Sequence, residues 1–327
     1  MAASPVLVPG LVTIGIPTYN RPLLAERAAR SVLAQTYPDI ELLVSDDFCP
    51  EDDSEDRIAG LTPLVGGKQL RIIRQPSRLG LARNFDACLQ NARGEFFLLL
   101  GDDDVLLPGA IEALVAGFLH PPEPLSPQQV GLSWCPCEII DAGGAPLWKT
   151  KPGPAAESPA DLLVNLWHGK RGPRLSSILV RTADARVVGG FQSRYGDLCD
   201  IGNWAQVALA YPFVFCWQQP LAQYANHQNS TTSQSSLSDW QSFAYVVHDD
   251  LLARARACGN QSAEIKVRKA RSAFLSGITL TILMQTIGKP GWIANALRET
   301  VRKPGIMLGP LMLRRFLMDG WKLLRLK

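Results

Sequence analysis

The chain has 327 residues, of which 46% are hydrophobic and 19% charged, with seven cysteines and a formal net charge of +3. This composition fits a folded protein with a substantial core, and the scattered cysteines exclude a disulfide framework or a zinc site of the usual spacing. Positions 298–327 carry eight Lys or Arg and two acids, a net charge of +6, which leaves −3 for the rest of the chain.

Strand and helix patterns alternate through the first 120 residues. Each predicted strand is a short apolar or β-branched run, and each predicted helix has apolar residues at helical spacing. The strands are predicted at 11–17, 41–45, 70–74 and 96–100, and the helices between them at 23–35, 55–61 and 81–92. This alternation predicts an α/β fold with a parallel, doubly wound sheet flanked by helices.

A proline-rich stretch, His120–Pro124, interrupts this pattern. We therefore divide the chain into a first half at 1–122, a second half at 123–235 and a helical C-terminal region at 236–327. The later strands are predicted at 130–140, 176–181 and 213–217, the later helices at 162–167, 200–210, 240–257, 262–288, 292–301 and from 308, and a polar loop at 228–239.

The most informative stretch follows the fourth predicted strand, where Gly101 precedes Asp102, Asp103 and Asp104. Ligands of open α/β sheets bind at the carboxyl ends of the strands. Adjacent carboxylates repel each other by about 1 kcal/mol per pair unless a cation lies among them. Such oxygen ligands suit Mn²⁺ or Mg²⁺ bound together with substrate phosphates. Capping of the following helix would explain one of the three carboxylates.

Several motifs in this order and spacing resemble the large inverting family-2 glycosyltransferases, which have the GT-A fold. The resemblance is carried by Ile16–Arg21, Ser31–Tyr37, Val44–Asp47, Gly80–Asn84 and Gly94–Asp104. It is specific over residues 11–120 and weaker up to about residue 232. The resemblance implies a mostly parallel, Rossmann-like sheet, with the donor bound by the first half and the acceptor by the second.

The resemblance implies a nucleoside-diphosphate sugar as donor, a UDP-, dTDP- or GDP-sugar. Asp47 is expected to bind the base, Tyr19 to stack on or bond to the nucleotide, and Arg83 to meet base or diphosphate. The alternatives are turn or helix capping for the acidic pair and an exposed cation near a helix start for Arg83. The full set expected at the nucleotide is Pro17, Tyr19, Asn20, Asp46, Asp47, Arg83 and Asp102.

The resemblance also implies a divalent ion, Mn²⁺ or Mg²⁺. Asp103 matches the residue that ligates the ion, whereas Asp102 would face the ribose or a metal-bound water. Gly101 replaces the first acid of the longer family motif, so Asp104 could ligate through water or touch the donor sugar. His227 could bind the ion or a phosphate, or be an ordinary loop histidine, and Ala225 stands where arginine is common in the family.

An inverting displacement needs a carboxylate that takes the proton of the acceptor hydroxyl. The family places this base after a Gly-Gly-Phe turn, here 189–191, and four residues before an aromatic residue, here Trp204. Asp200 matches that position, although Cys199 replaces the usual Glu. Asp197 is the competing base, and Asp200 as a helix N-cap is the structural alternative.

The C-terminal tail combines basic residues with Trp and Leu, a pattern typical of helices that lie in an anionic membrane interface. The same helices could instead pack on the catalytic body or on a second copy in a homodimer. Positions 1–9 lack the features of a signal peptide, so we expect a cytoplasmic protein, peripheral on the inner face of the cytoplasmic membrane, with no nucleic-acid partner.

The function implied by these observations is a metal-dependent inverting glycosyltransferase of bacterial surface-polysaccharide assembly. Its acceptor would be a hydroxyl of a lipid-linked or polysaccharide glycan. The departures from the family motif at Gly101, Cys199 and Ala225 leave open a catalytically inactive membrane scaffold. A sugar nucleotidyltransferase is a weaker alternative, because a Gly-rich basic loop after the first strand is missing.

Overall fold

The computed structural model describes residues 5–48, 54–62, 66–226 and 236–286. The strands are β1 (Val8–Thr18), β2 (Ile40–Asp46), β3 (Gln69–Arg74), β4 (Gly94–Leu99), β5 (Val105–Leu106), β6 (Val130–Trp134), β7 (Cys137–Ile140), β8 (Pro146–Lys149), β9 (Ala156–Glu157), β10 (Ile178–Arg181), β11 (Phe213–Cys216) and β12 (Ala222–Ala225). The helices are α1 (Pro22–Leu33), α2 (Ser54–Ala59), α3 (Leu81–Asn91), α4 (Ala110–Leu119), α5 (Pro159–Trp167), α6 (Thr182–Val187), α7 (Cys199–Leu209), α8 (Leu237–Ala257), α9 (Gln261–Lys269) and α10 (Arg271–Thr286).

A large mixed sheet forms the centre of the molecule. Its eight strands lie in the order β3-β2-β1-β4-β10-β6-β11-β9, and the first four are mutually parallel. The antiparallel strand β10 joins this parallel part to the strands of the second half. A smaller sheet has the order β5-β12-β7-β8. The predicted α/β fold with a Rossmann-like first half is therefore confirmed.

The strand predicted over 130–140 is in fact two strands that belong to different sheets. β6 pairs with β10 and β11, whereas β7 pairs with β12 in the smaller sheet. Pro136 lies between them and has no N–H to continue a ladder. The pattern of apolar residues continues across this junction, so it could not reveal the change of sheet.

The C-terminal region is helical as predicted, but its boundaries differ. The first helix begins at residue 237 rather than 240, and the helix predicted over 262–288 is divided into α9 and α10 at Ala270. Residues 287–327 lie outside the described part of the chain, and with them the predicted helices at 292–301 and from 308.

Two apolar clusters pack on opposite faces of the large sheet. One joins alternate residues of β1 and β2 to helices α1 and α4. The other joins the opposite face to α3, α5 and α7 and to the C-terminal helices α8, α9 and α10. The C-terminal helices therefore share a core with α3 and α7, the helices that border the site described below. Among the described helices, none is long and apolar enough to span a bilayer.

Gly94, at the start of β4, lies very close to the backbone of β1 and gives a test of this packing. An alanine Cβ there would lie 2.5 Å from the Thr13 nitrogen and 2.6 Å from the Leu11 carbonyl oxygen. Because backbone atoms cannot rotate away, we expect Gly94→Ala to lower the free energy of unfolding by about 2 kcal/mol or more. Urea unfolding followed by circular dichroism measures the effect.

Gly143→Ala is the matched control, because its Cβ would come no closer than 3.3 Å to the Asp141 carboxylate in an exposed turn. We expect its unfolding midpoint to equal that of the wild type. An unchanged unfolding midpoint in Gly94→Ala would contradict the close approach of β1 and β4 at this residue.

Candidate active site

The parallel strands β1, β2 and β4 end at the same edge of the large sheet. Thr18 at the end of β1 pairs with Asp46 at the end of β2, and Gly15 pairs with Leu99 at the end of β4. The acidic triplet follows β4 in a turn closed by a hydrogen bond from the Asp104 nitrogen to the Gly101 carbonyl, 3.1 Å long. The structure thus brings the first loop and the acidic triplet together.

Asp102 and Asp103 share one arginine, Arg21. Its Nη1 donates to Asp102 Oδ1 at 3.1 Å and to Asp103 Oδ2 at 3.2 Å. Thr18 Oγ1 donates to the other oxygen of Asp102 at 3.0 Å, and Arg27 Nη2 donates to the Asp103 carbonyl at 2.6 Å. Two arginines of the first loop and α1 therefore hold the turn.

Asp102 is the more deeply buried of this pair. Its burial and the negative charge of Asp103 raise the pKa of Asp102 to about 6, against the opposing effects of Arg21 and Thr18. The Asp103 side chain keeps 18% of its surface exposed. Asp103 is therefore the carboxylate of the two that is more open to a ligand.

Whether a metal ion fits here depends on the side chains that could ligate it. The described residues hold no group of three or more His, Cys, Asp or Glu side chains that would form a metal site by themselves. A partly exposed carboxylate at a sheet edge still fits an ion such as Mg²⁺ or Mn²⁺, which keeps several waters and takes further oxygen ligands from substrate phosphates. The residues present fit a metal bound together with a substrate, with Asp103 as its carboxylate.

Asp104 has a different environment from its two neighbours. It is only 1% exposed. The Ala225 nitrogen donates to its Oδ1 at 2.8 Å, and the Ser176 hydroxyl donates to its Oδ2. Burial and the nearby Asp103 raise the pKa of Asp104 well above its ordinary value. These contacts give Asp104 a structural role, fastening the acidic turn to β12, while its contact with an ion or donor sugar stays a prediction.

The acidic pair at the end of β2, Asp46 and Asp47, is buried. Arg74 Nε lies 3.6 Å from Asp46 Oδ2, and Asp46 is 1% exposed. Asp47 accepts from the Leu79 nitrogen at 2.6 Å and from the Gly80 nitrogen at 2.9 Å. Asp47 therefore holds the two residues that lead into α3. Base binding by this pair stays a prediction.

The first loop presents an exposed aromatic ring. Tyr19 is 36% exposed, and the guanidinium carbon of Arg78 lies 4.1 Å from its ring centroid. Asn20 has a φ of 53°, a left-handed backbone conformation that is uncommon outside glycine and often occurs at functional sites. Pro17 is buried within β1, where it pairs with Ser45 of β2. It therefore belongs to the strand that leads into the loop.

Helix α3 carries Arg83 to the same edge. The side chain of Arg83 is exposed, and in the described part of the chain no hydrogen bond or ion pair engages it. The next residue, Asn84, is buried and bonds to Ser45, with 2.6 Å between Asn84 Oδ1 and Ser45 Oγ. Gln75 Nε2 donates to the same hydroxyl at 2.9 Å. This buried network fixes the helix that presents Arg83.

The predicted base lies in the first turn of α7. Asp200 lines an apolar pocket together with Phe97, Leu99, Leu175, Ile178, Val180, Phe191, Asn203 and Trp204. Burial raises the pKa of Asp200 to about 6, and Asp197 adds to this increase, while the backbone N–H of Ile201 and the charge of Arg174 oppose it. A carboxylate in this environment takes up a proton near pH 6, well above the usual range of an aspartate.

The turn before this helix is docked on α3. The Phe191 nitrogen donates to Asp86 Oδ1 at 3.1 Å. Gly190 has a φ of 66°, and a Cβ there would lie 2.0 Å from the same oxygen. The close approach requires glycine at this position. Asp197 belongs to the short 3₁₀ segment Ser193–Leu198 that directly precedes α7.

Two residues of this region were missed by the sequence motifs, namely Arg174 and Tyr224. The guanidinium carbon of Arg174 lies 5.8 Å from the Tyr224 ring centroid. Burial and the negative charges of Asp104, Asp103 and Asp200 raise the pKa of Tyr224, which Arg174 opposes. Neither residue belongs to a recognised motif, so no local signal would have identified them. His227 lies outside the described residues.

The sheet order and the acidic turn at the strand ends define a GT-A fold. Residues 13–126 match the family model described as "Glycosyl transferase family 2". This segment of the chain belongs to that family, as the motifs predicted.

Two relatives illustrate how far the similarity extends. An uncharacterized protein of Mycobacterium tuberculosis is 28% identical over 212 residues, 61% of this chain and 62% of its own length. The GalNAc(5)-diNAcBac-PP-undecaprenol beta-1,3-glucosyltransferase of Campylobacter jejuni is 34% identical over 113 residues, 33% of this chain and 36% of its own length. The chain thus spans less than two thirds of either relative.

Solved structures share the fold at low sequence identity. S. aureus TarS 1–349 in complex with UDP-GlcNAc has a TM-score of 0.57 at 13% identity, covering 90% of this chain and 92% of its own. The mannosyltransferase PcManGT of Pyrobaculum calidifontis, in complex with GDP-Man and Mn²⁺, has a TM-score of 0.50 at 16% identity, covering 98% and 90%.

Proposed function

We propose that this chain is an inverting glycosyltransferase that moves one sugar from a nucleoside-diphosphate donor to an acceptor hydroxyl. The observation that carries the proposal is that two sets of carboxylates lie beside the end of β4. Asp102 and Asp103 lie in the turn after β4, and Asp200 lines an apolar pocket that also contains Leu99, the last residue of β4. A donor site and a base therefore border the same strand.

The donor would bind at the ends of β1 and β2. Tyr19 offers an exposed ring, and Asp46 and Asp47 lie behind it at the strand ends. Arg83 adds an exposed cation from the start of α3. Two proteins of the same fold, TarS and PcManGT, are solved with UDP-GlcNAc and GDP-Man, which supports a nucleotide sugar without selecting its base or sugar.

Asp103 would hold the divalent ion, and Asp102, with its partners Thr18 and Arg21, would orient the turn. When bound, the ion supplies positive charge that stabilises the departing nucleoside diphosphate. PcManGT is solved with Mn²⁺, which supports the same choice here. The contacts of Asp104 with β12 favour Asp103 over Asp104 as the ligand.

Asp200 would act as the general base. Its carboxylate would accept the acceptor hydroxyl proton while the hydroxyl oxygen bonds to the anomeric carbon and the bond from that carbon to the phosphate oxygen breaks. A pKa of about 6 leaves Asp200 ionised at neutral pH and basic enough to accept a proton. Asp197 remains the competing base, since it is adjacent and partly exposed.

We further propose a lipid-linked or polysaccharide acceptor at the inner face of the cytoplasmic membrane. The name of the Campylobacter relative contains the PP-undecaprenol carrier. The basic, apolar sequence at 298–327 supports membrane binding through charge. Both observations agree with bacterial surface-polysaccharide assembly.

Nucleotide binding tests the donor site. We expect UDP, dTDP or GDP to bind with Mn²⁺ present. The affinity should fall at least about 10-fold in EDTA, because the ion is then absent, and in Asp103→Asn, because the ion then lacks its carboxylate ligand. Titration calorimetry measures both effects. Asp39→Asn, an exposed carboxylate elsewhere, should bind as the wild type does. Failure of all three nucleotides to bind the wild type would overturn the donor site.

The base is tested by the pH dependence of donor turnover, measured as release of nucleoside diphosphate with water as acceptor. We expect the rate to rise with pH through about 6 and then level off, because Asp200 must lose its proton to act. Asp200→Asn should lower the rate about 100- to 10,000-fold. Asp197→Asn should lower it far less, and the reverse order of the two variants would reassign the base.

Thermal unfolding separates catalysis from stability at Asp200. A carboxyl whose pKa is raised on folding stabilises the protein most at low pH, and this contribution is lost as the pH rises through about 6. At pH 8 Asp200→Asn should therefore be at least as stable as the wild type while losing turnover. A clear loss of stability would favour a capping role.

Membrane association is tested by co-sedimentation with phosphatidylglycerol or phosphatidylcholine vesicles. We expect binding to the anionic vesicles only, reduced in the Arg314→Glu/Arg315→Glu variant because two basic side chains are reversed in charge. Equal recovery in the supernatant with both vesicles would contradict the proposal.

A further inference from the structure

Arg174 lies in a loop that the structure holds rigidly beside the site. Its backbone nitrogen donates to Ser177 Oγ at 2.9 Å, and the same hydroxyl donates to the Arg174 carbonyl at 2.9 Å. Ser177 is fully buried at the entry to β10. Three residues before Arg174, Arg171 forms an ion pair with the buried Glu157 of β9. The loop is therefore anchored on both sides of Arg174.

The guanidinium of Arg174 is exposed and rests on an aromatic ring. Its carbon lies 5.8 Å from the centroid of Tyr224, within the range of a cation–π contact. In the described part of the chain, no hydrogen bond or ion pair engages the guanidinium. The ring orients the cation and leaves its N–H donors available to a ligand.

The charges around this position are mostly negative. Asp103, Asp104 and Asp200 all act on the hydroxyl of Tyr224, and Arg174 is the cation that acts on it. Arg174 also acts on Asp200 itself. The next residue of β12, Ala225, carries no charge, and its nitrogen is engaged by Asp104. Ser176, two residues after Arg174, donates to Asp104, so Arg174 lies near both the acidic turn and the partly buried carboxylate of Asp200.

A diphosphate bound beside the acidic turn and Asp200 would bring further negative charge close to the carboxylates of Asp103, Asp104 and Asp200. An arginine fork pairs with phosphate oxygens in a bidentate geometry that lysine cannot reproduce. We propose that Arg174 binds the diphosphate of the donor at its sugar-side phosphate and positions the departing group opposite Asp200. The proposal rests on the function proposed above and names a residue that contacts the substrate.

Calorimetry on nucleoside diphosphates and monophosphates tests this assignment. With Mn²⁺ present, UDP, GDP and dTDP are titrated into the wild type, and the tightest of them and its monophosphate into each variant. We expect Arg174→Ala to weaken diphosphate binding at least about 10-fold and to leave monophosphate binding unchanged, because the monophosphate lacks the group contacted. Arg174→Lys should recover only part of the loss.

Lys170→Ala is the matched control, since Lys170 is an exposed cation of the same loop; it should bind both nucleotides as the wild type does. Equal diphosphate affinity in the wild type and Arg174→Ala would overturn the role of Arg174 while keeping the donor site. An equal loss for diphosphate and monophosphate would also overturn it, by assigning the effect to the fold. No binding by the wild type would overturn the proposed function itself.

The pH dependence of nucleoside diphosphate release, with water as acceptor, gives a second test. A mere loss of packing would not shift this pH dependence. The groups that act on Asp200 are Asp197, which raises its pKa, and Arg174 and the Ile201 N–H, which lower it. Without the Arg174 cation the pKa of Asp200 should rise, so the increase of the rate with pH should move to higher pH. Arg174→Lys keeps the positive charge and should restore the position of the wild type. An unchanged pH dependence in Arg174→Ala would contradict the placement of this cation near Asp200.

Discussion

Three consecutive carboxylates at the end of a buried strand require donors and cations around them, and the fold gives each a different environment. Thr18 and Arg21 engage Asp102, and Arg21 also pairs with Asp103. Asp104 turns the other way and bonds to Ser176 and Ala225. Because mutual repulsion in a low-dielectric site is large, this division keeps the turn stable. It leaves the Asp103 carboxylate partly exposed and directs that of Asp104 into the protein.

The same division couples the two halves of the molecule. Asp104 fastens the acidic turn to β12, so the strand that leads towards His227 is held by the end of β4. On the other side, α8 packs against the segment that precedes Asp197 and Asp200. Tyr195 donates to Asp250 of α8 at 2.6 Å, and a Cβ at Gly196 would lie 2.1 Å from Phe243 of the same helix. The C-terminal helices therefore help to position Asp197 and Asp200.

Buried polar residues next to the site hold its loops in place. Asp47 accepts from the backbone nitrogens of the two residues that precede α3, and the buried pair Ser45 and Asn84 fastens that helix to β2. Buried polar groups in a satisfied network fix a single arrangement, because any other leaves a donor or acceptor unpaired. Motif residues such as Asp47 and Asn84 therefore also hold the loops around the site in place.

The sequence by itself determined the strands of the first half, the edge at which they end, and the acidic and Gly-Gly-Phe motifs. These features are encoded locally, in apolar runs and in residues a few positions apart. Tertiary structure alone decided that 130–140 divides between two sheets, that Asp104 meets Ala225, and that Arg174 lies on Tyr224. Those contacts join residues far apart in the chain, and no local pattern specifies which distant donor or ring a buried carboxylate or an exposed cation will meet.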